Sequence, residues 1–152
     1  LTKDVLVQYS NLVEEVKDLR KRIQKLSDQI NKLEQDGCVR DCVKGGYGGI
    51  QTFKIEGFPY PEYSRKKSLL HLYKAQLENA ELELLELTNK VEEYIQSIDN
   101  SRIRRILRYR FVDELTWYQV AMKIGGRATD ESVRKEFERF MASNQSLSDL
   151  SG

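Results

Sequence analysis

Arginines dominate the stretch from residue 101 to residue 112, which contains no acidic residue. A guanidinium group donates hydrogen bonds in a planar geometry that suits phosphate oxygens, so this cluster points to contact with a polyanion. Apolar residues recur between the arginines at helical spacing and predict an amphipathic helix, with Ile103, Ile106, Leu107 and Phe111 on its buried face. The arginines that would hold a phosphate backbone are Arg102, Arg104, Arg105 and Arg108.

Two further short helices are predicted after the arginine-rich one. Thr116 and Gln119 have the spacing of a capping box, which predicts that the second helix begins there. The glycines at 125 and 126 predict its end, and Thr129 can cap a third helix. The apolar residues of the third helix are Val133, Phe137 and Phe140. A short helix, a glycine turn and another helix form the arrangement by which a helix-turn-helix enters the DNA major groove.

Polar side chains on the third helix are candidates for DNA contact. Arginine and lysine at 134, 135 and 139 can reach phosphates or guanine edges, and the serine at 132 can bond to a base. The two acids at the start of this helix suit its dipole but repel phosphate. The full set of predicted DNA-binding residues is Arg102, Arg104, Arg105, Arg108, Arg127, Thr129, Ser132, Arg134, Lys135 and Arg139.

The charge of the chain is unevenly distributed, although its net value is only +1. Residues 101–141 carry ten Lys and Arg residues against six Asp and Glu, whereas residues 1–36 are balanced. Positive charge therefore gathers where the helix-turn-helix is predicted, as phosphate binding requires.

Heptad repeats over residues 1–36 and 64–98 predict two long helices. Two repeats of equal length in one chain favour an intramolecular antiparallel hairpin, because the effective concentration of the second helix is high. A homodimer through the coiled coil is the alternative, since the seam residues are also those of parallel dimers. The second helix carries further apolar residues that need another cover, namely Leu69, Leu72, Leu82, Leu85 and Ile95.

The segment between the long helices, residues 37–63, has a glycine run at 45–49 followed by alternating apolar residues. This pattern predicts a small β-hairpin or a structured loop. The polar residues 142–152 predict a flexible tail. The expected fold class is therefore mainly α. A coiled-coil hairpin with the small β insert would occupy residues 1–100, and a three-helix helix-turn-helix would occupy residues 101–141.

Enzymatic, metal and membrane functions are not indicated by the sequence. The single histidine, His71, cannot form a catalytic triad, and no catalytic motif is present, so the protein is not expected to be an enzyme or to use a cofactor. Cys38 and Cys42 lack further ligands for a metal and are expected to be free thiols. No apolar run is long enough to cross a membrane, and the N-terminal residues do not resemble a signal peptide. The expected location is a reducing cytoplasm.

Four stretches of the sequence carry a resemblance to known families. The residues RIRRILRYRFVDELTWYQVAMKIGG and TDESVRKEFERF resemble the region-four domain of bacterial sigma factors. The insert VKGGYGGIQTFKIEGFPYPEYSRKKSLL and the junction ELTNKVEEYIQSIDNSRIRRILRYRF are similar to RinA/ArpU-type transcriptional regulators from phages of Gram-positive bacteria.

The resemblance implies a transcriptional regulator that binds double-stranded DNA and contacts host RNA polymerase. The residues that fall on the recognition-helix motif of these relatives are Thr129, Ser132, Val133, Arg134 and Lys135. The acids at 130 and 131 depart from the basic pattern of sigma factors, so promoter specificity is not carried over.

Two alternative functions are compatible with the same sequence. One is a small terminase-like DNA-packaging protein, which also combines a helix-turn-helix with a coiled coil. The other is a protein-interaction module without DNA binding, for instance an inhibitor that mimics a sigma domain and binds polymerase.

Overall fold

The computed structural model of the protein describes residues 1–44 and 57–149, and it is mainly helical. Within these ranges the chain forms five α-helices and one π-helical segment, and no β-strand occurs there. The helices are α1 (Lys3–Lys44), α2 (Tyr60–Ser97), α3 (Ser101–Leu107), the π-helical segment Arg108–Val112, α4 (Trp117–Ile124) and α5 (Asp130–Asp149). The mainly α fold class expected from the sequence is confirmed.

The predicted β insert over residues 37–63 is wrong at both of its ends. α1 continues to Lys44, because each residue added to a formed helix gains a backbone hydrogen bond. α2 already begins at Tyr60, and the N–H of Tyr63 donates to the carbonyl of Pro59 at 2.9 Å. Pro61 lies in the first turn of α2, which suits proline because the N–H that it lacks has no helical partner there. The remainder of the predicted β-hairpin, with the glycine run at 45–49, lies outside the described residues, as do the side chains of the two cysteines.

The chain divides into two compact units, and the division differs from the predicted domain boundary at residue 100. Unit 1 comprises Leu1–Glu14 and Leu82–Gly152, and unit 2 comprises Glu15–Glu81. The ends of the long helices belong with α3, α4 and α5 because they share one apolar core with them. Leu6 of α1 and Ile95 of α2 are both fully buried in that core.

The core of unit 1 is apolar throughout, since no buried polar or charged residue is found in the described part of the chain. The predicted burial of one face of α3 is confirmed, as Ile106 and Leu107 are inaccessible to solvent. Three aromatic rings pack across the α3–α5 region. The ring centroid of Phe137 lies 5.4 Å from that of Phe111 and 5.5 Å from that of Trp117. Burial of each large apolar side chain contributes roughly 1.5–3 kcal/mol, so this core holds α3, α4 and α5 in place.

Side-chain caps fix where the short helices begin. Asn100 caps α3 by accepting from the backbone N–H groups of the second and third helical residues, a cap that the sequence reasoning did not identify. α3 passes directly into the π-helical segment, where the N–H of Asp113 donates to the carbonyl of Arg108 at 2.9 Å. Glu114 then adopts a left-handed backbone conformation, with a φ of 59°. The predicted capping box of Thr116 and its partner three residues on is confirmed at the start of α4.

The prediction of a flexible tail over residues 142–152 is wrong as far as residue 149, because α5 continues to that point. Contacts distant in sequence stabilise the extension. Met141 is buried, and the amide of Asn144 donates to the phenolic oxygen of Tyr94 at 2.9 Å. Residues 150–152 lie outside the described part of the chain.

Unit 2 contains the middle of α1 and the first part of α2. Among the residues that the structure describes, its buried hydrophobic residues all lie within the two ranges predicted to have heptad repeats, and they are Val16, Leu19, Leu26, Ile30 and Ala80. Ion pairs and hydrogen bonds join its two helical segments: Arg20 contacts Glu81 at 2.8 Å, Lys66 donates to Gln29 at 3.2 Å and Tyr63 donates to Glu34. Contact with Tyr63, assisted by Glu34, raises the pKa of Lys67 above its ordinary value. These contacts are solvent-exposed or nearly so, and each therefore contributes little to stability.

The additional apolar residues of α2 have two different environments. Ile95 is buried in the core of unit 1, which provides the cover expected from the sequence. The four leucines are exposed: Leu69 and Leu72 in unit 2, and Leu82 and Leu85 in unit 1.

Candidate nucleic-acid interface

The turn between α4 and α5 is built around two glycines with positive φ. Gly125 has a φ of 79° and Gly126 a φ of 64°, and the N–H of Gly125 donates to the carbonyl of Ala121 at 2.9 Å. A β-carbon at either position would meet no atom within 4 Å. These glycines are therefore required by the left-handed backbone, which strains other residues, and not by a lack of space.

The start of α5 is fixed by a reciprocal pair of hydrogen bonds, which confirms the predicted cap at Thr129. The N–H of Ser132 donates to the hydroxyl of Thr129 at 3.1 Å, and the N–H of Thr129 donates to the hydroxyl of Ser132 at 2.9 Å. The hydroxyl of Ser132 also donates to the carbonyl of Thr129 at 3.0 Å. Both residues were predicted to contact DNA, and the structure gives their hydroxyls a first role in capping α5.

Four of the predicted DNA-binding residues line a single open groove of about 590 Å³ beside this turn. We call it the arginine groove. Its walls are the C-terminal end of α4, the glycine turn, one side chain of α3 and one face of α5. The lining side chains that can bond to a ligand are Arg102, Arg127, Ser132, Glu136 and Arg139.

The three arginines of the groove differ in how strongly they are engaged. The Nε of Arg102 donates to both carboxylate oxygens of Glu136, at 2.9 and 3.2 Å. The Nε of Arg139 donates to the carbonyl of Lys135 at 3.3 Å. Arg127 is exposed and has no hydrogen-bond or ion-pair partner in the described part of the chain. The groove thus offers guanidinium donors of which only some are occupied.

The other arginines that are predicted to hold a phosphate backbone contact groups within unit 1. Arg104 donates to the carbonyl of Ile98 at 2.7 Å, and Arg105 donates to the carbonyl of Lys123 at 3.2 Å. Arg108 forms an ion pair with Glu92 at 3.4 Å. In the unliganded protein these three side chains brace α3 and the π-helical segment against their neighbours. That they also hold a phosphate backbone stays a prediction.

Arg110 makes two contacts next to the start of α4. Its Nη1 donates to the carbonyl of Leu115 at 2.8 Å, and its guanidinium carbon lies 5.0 Å from the ring centroid of Trp117. The hydrogen bond closes the irregular segment before α4, and the ring contact adds a cation–π interaction. The side chain thereby holds the path between the π-helical segment and α4.

The outward face of α5 carries the remaining predicted contacts. Arg134 is exposed and, like Arg127, finds no partner among the residues that the structure describes. Lys135 pairs with Glu131 one turn earlier, at 3.0 Å. Exposed pairs of this spacing contribute only about 0.3–0.5 kcal/mol, so the lysine is easily released to another anion. On the same helix Glu138 pairs with Lys3 at 3.6 Å.

Glu136 was missed by the sequence reasoning, as was the convergence of four predicted residues on one groove. Part of the signal was present, because Ser132, Glu136 and Arg139 are spaced four and three residues apart and must share a helix face. The approach of Arg102 to that face depends on the packing of α3 against α5, which periodicity does not reveal.

No family model, curated protein or solved structure matches the chain. In the part of the chain that the structure describes, no group of three or more His, Cys, Asp or Glu side chains is placed to hold a metal ion. None of the helices described combines the length and apolar character needed to cross a bilayer.

Proposed function

We propose that unit 1 binds double-stranded DNA as a helix-turn-helix, with α5 as the recognition helix. The observation that carries this proposal is the set of arginines around the α4–α5 turn, beside the capped start of a long helix. Two of these basic side chains, Arg127 and Arg134, have no partner among the described residues. A short helix, a turn with positive φ glycines and a second helix is the arrangement that such domains place in the major groove.

The two faces of this region suit different parts of a duplex. The arginine groove presents guanidinium groups and would hold a backbone phosphate, which fixes the position of the protein without reading sequence. Arg134 and Lys135 lie outside the groove, on exposed positions of α5. They would reach base edges, where arginine and lysine pair with the two acceptors of guanine. Affinity then arises from the groove and specificity from the exposed face.

The remaining architecture is proposed as an antiparallel coiled-coil hairpin that carries the helix-turn-helix. The order of the contacts in unit 2 supports it, because Arg20 of α1 meets Glu81 of α2, whereas the later Glu34 meets the earlier Tyr63. The resemblance to RinA/ArpU-type regulators supports a phage-encoded transcriptional regulator that acts in the bacterial cytoplasm and contacts host RNA polymerase.

Fluorescence anisotropy with a labelled duplex, over a series of salt concentrations, tests the DNA-binding proposal. Replacing Arg134→Ala together with Lys135→Ala is expected to weaken binding about 10–100-fold and to flatten its salt dependence. A charge-matched control is Lys74→Ala with Lys90→Ala, two exposed lysines on α2, which is expected to leave the salt slope unchanged. Equal slopes for wild type and both double variants would reject the assignment of the exposed face.

Selection of bound fragments from phage DNA by the purified protein then separates the possible roles. Enrichment of one promoter region is expected for a transcriptional regulator. Enrichment of a packaging site instead would identify the terminase-like alternative.

A protein-interaction module is the second candidate function, and it is favoured by an exposed apolar pair on α4. Tyr118 and Met122 stand one turn apart and are 66% and 67% exposed. Side chains of this kind are enriched at protein interfaces. The test is a pull-down of polymerase by the wild type and by the double variant Tyr118→Ala with Met122→Ala. This function would replace DNA binding if the wild type bound polymerase but no duplex, and if the double variant lost polymerase binding.

A further inference from the structure

The arginine groove contains a carboxylate where a phosphate would be expected. Glu136 is the one acidic side chain among the residues that line the groove, and three arginines line the groove with it. Both of its oxygens accept from the Nε of Arg102, at 2.9 and 3.2 Å. The side chain of Glu136 is 30% exposed and that of Arg102 is 49% exposed, so water and small anions reach the pair.

Carboxylate and phosphate oxygens compete for the same guanidinium donors. An ion pair in such an exposed position is weak, because solvent screens it and two long side chains must be held in one geometry. A phosphate that entered the groove would meet Arg127, whose donors have no partner among the described residues, and would find Arg102 already held near the site. The same phosphate would be repelled by Glu136 as long as that carboxylate stayed in place.

We propose that the arginine groove is a phosphate-binding site in which Glu136 is a built-in competitor that holds Arg102 until a phosphate replaces it. The proposal rests on the proposed function for the source of the phosphate, a DNA backbone, but the site itself is defined by its own chemistry. The carboxylate holds Arg102 at the wall of the groove in the unliganded protein. It also lowers the affinity for phosphate, so that binding by this groove alone is weak and a second contact is required.

Inorganic pyrophosphate is the probe that tests the site independently of DNA. The Nε–H signal of Arg102, followed by NMR during a pyrophosphate titration, is expected to shift and to saturate in the wild-type protein. Glu136→Gln keeps the shape of the side chain and removes its charge. It is expected to tighten pyrophosphate binding about fivefold, the effect of removing one unit charge a few ångströms away in a largely aqueous setting.

Glu138→Gln is the matched control, because it removes the same charge from the same helix two residues further on, outside the groove. Its affinity for pyrophosphate is expected to equal that of the wild type. Arg127→Ala is expected to weaken pyrophosphate binding, and since this exposed side chain has no partner among the described residues, the variant should remain folded. Equal tightening by Glu136→Gln and Glu138→Gln, or no saturable shift of the Arg102 signal, would overturn the proposal.

Addition of a DNA duplex to the pyrophosphate-bound protein distinguishes the source of the phosphate. Displacement of pyrophosphate by the duplex assigns the groove to a nucleic-acid backbone. Binding of pyrophosphate without binding of a duplex would contradict the DNA-binding function and support the phosphate site. A protein that binds DNA without any pyrophosphate response at Arg102 would overturn the phosphate site alone.

Discussion

Two groups of arginines in unit 1 differ in what their guanidinium groups contact. Arg104, Arg105 and Arg110 donate to backbone carbonyls of neighbouring segments. Arg127 and Arg134 are exposed and have no partner within the described ranges. Both groups belong to the same basic region of the sequence, yet they have different availability to an external anion.

The density of positive charge in a region and the availability of its arginines to an external anion are therefore different properties. A carbonyl partner leaves the positive charge of an arginine in place, so the bracing arginines still contribute to the field around unit 1. One donor nitrogen of each guanidinium group is engaged, however, and this hydrogen bond holds the side chain against the protein. A cluster of arginines in a sequence therefore does not by itself mark the residues that touch phosphate.

The largest effect on stability is expected from Arg110→Ala, which tests the bracing group. This variant loses a charge-assisted hydrogen bond to the Leu115 carbonyl and the contact with the Trp117 ring. The free energy of unfolding, measured by urea denaturation followed by circular dichroism, should fall by about 2–3 kcal/mol. Arg134→Ala is the control and should change it by less than about 0.5 kcal/mol. An equal loss in both variants would remove the distinction between the two groups.

A smaller effect is expected at Thr129, a residue that is structural and also adjoins the proposed binding surface. Thr129→Ala removes the cap of α5 and should lower the free energy of unfolding by about 1 kcal/mol. Thr129→Ser retains the hydroxyl and should restore most of that loss. Thermal melts of the three proteins give the comparison. If serine and alanine were equally destabilising, the loss would come from the methyl group of threonine and not from its cap.

Local patterns predicted the features of the fold that depend on neighbouring residues. The buried face of α3, the capping box at Thr116 and the cap at Thr129 follow from spacing within one or two helical turns. The features that failed depend on contacts between distant segments. α5 was predicted to end too early because its extension is stabilised by the hydrogen bond between Asn144 and Tyr94, 50 residues apart.

The candidate site shows the same limit. The sequence shows the arginines as a group but does not reveal their partners, because whether Arg104 meets a carbonyl depends on where Ile98 lies after packing. Glu136 was overlooked since nothing local connects it to Arg102, 34 residues earlier. Tertiary packing therefore determines which arginines contact neighbouring carbonyls and which line the groove.

The measurement that tests the central claim most directly is the salt dependence of duplex binding by Arg127→Ala and Arg104→Ala. Each variant removes one arginine charge from unit 1, but Arg104 donates to the carbonyl of Ile98 at 2.7 Å and Arg127 has no partner among the described residues. In a plot of log affinity against log salt concentration, Arg127→Ala should reduce the slope by about 0.9, the effect of losing one phosphate contact. Arg104→Ala should leave the slope of the wild type unchanged. Equal slopes for the two variants, or a reduced slope for Arg104→Ala alone, would contradict the division between bracing and binding arginines.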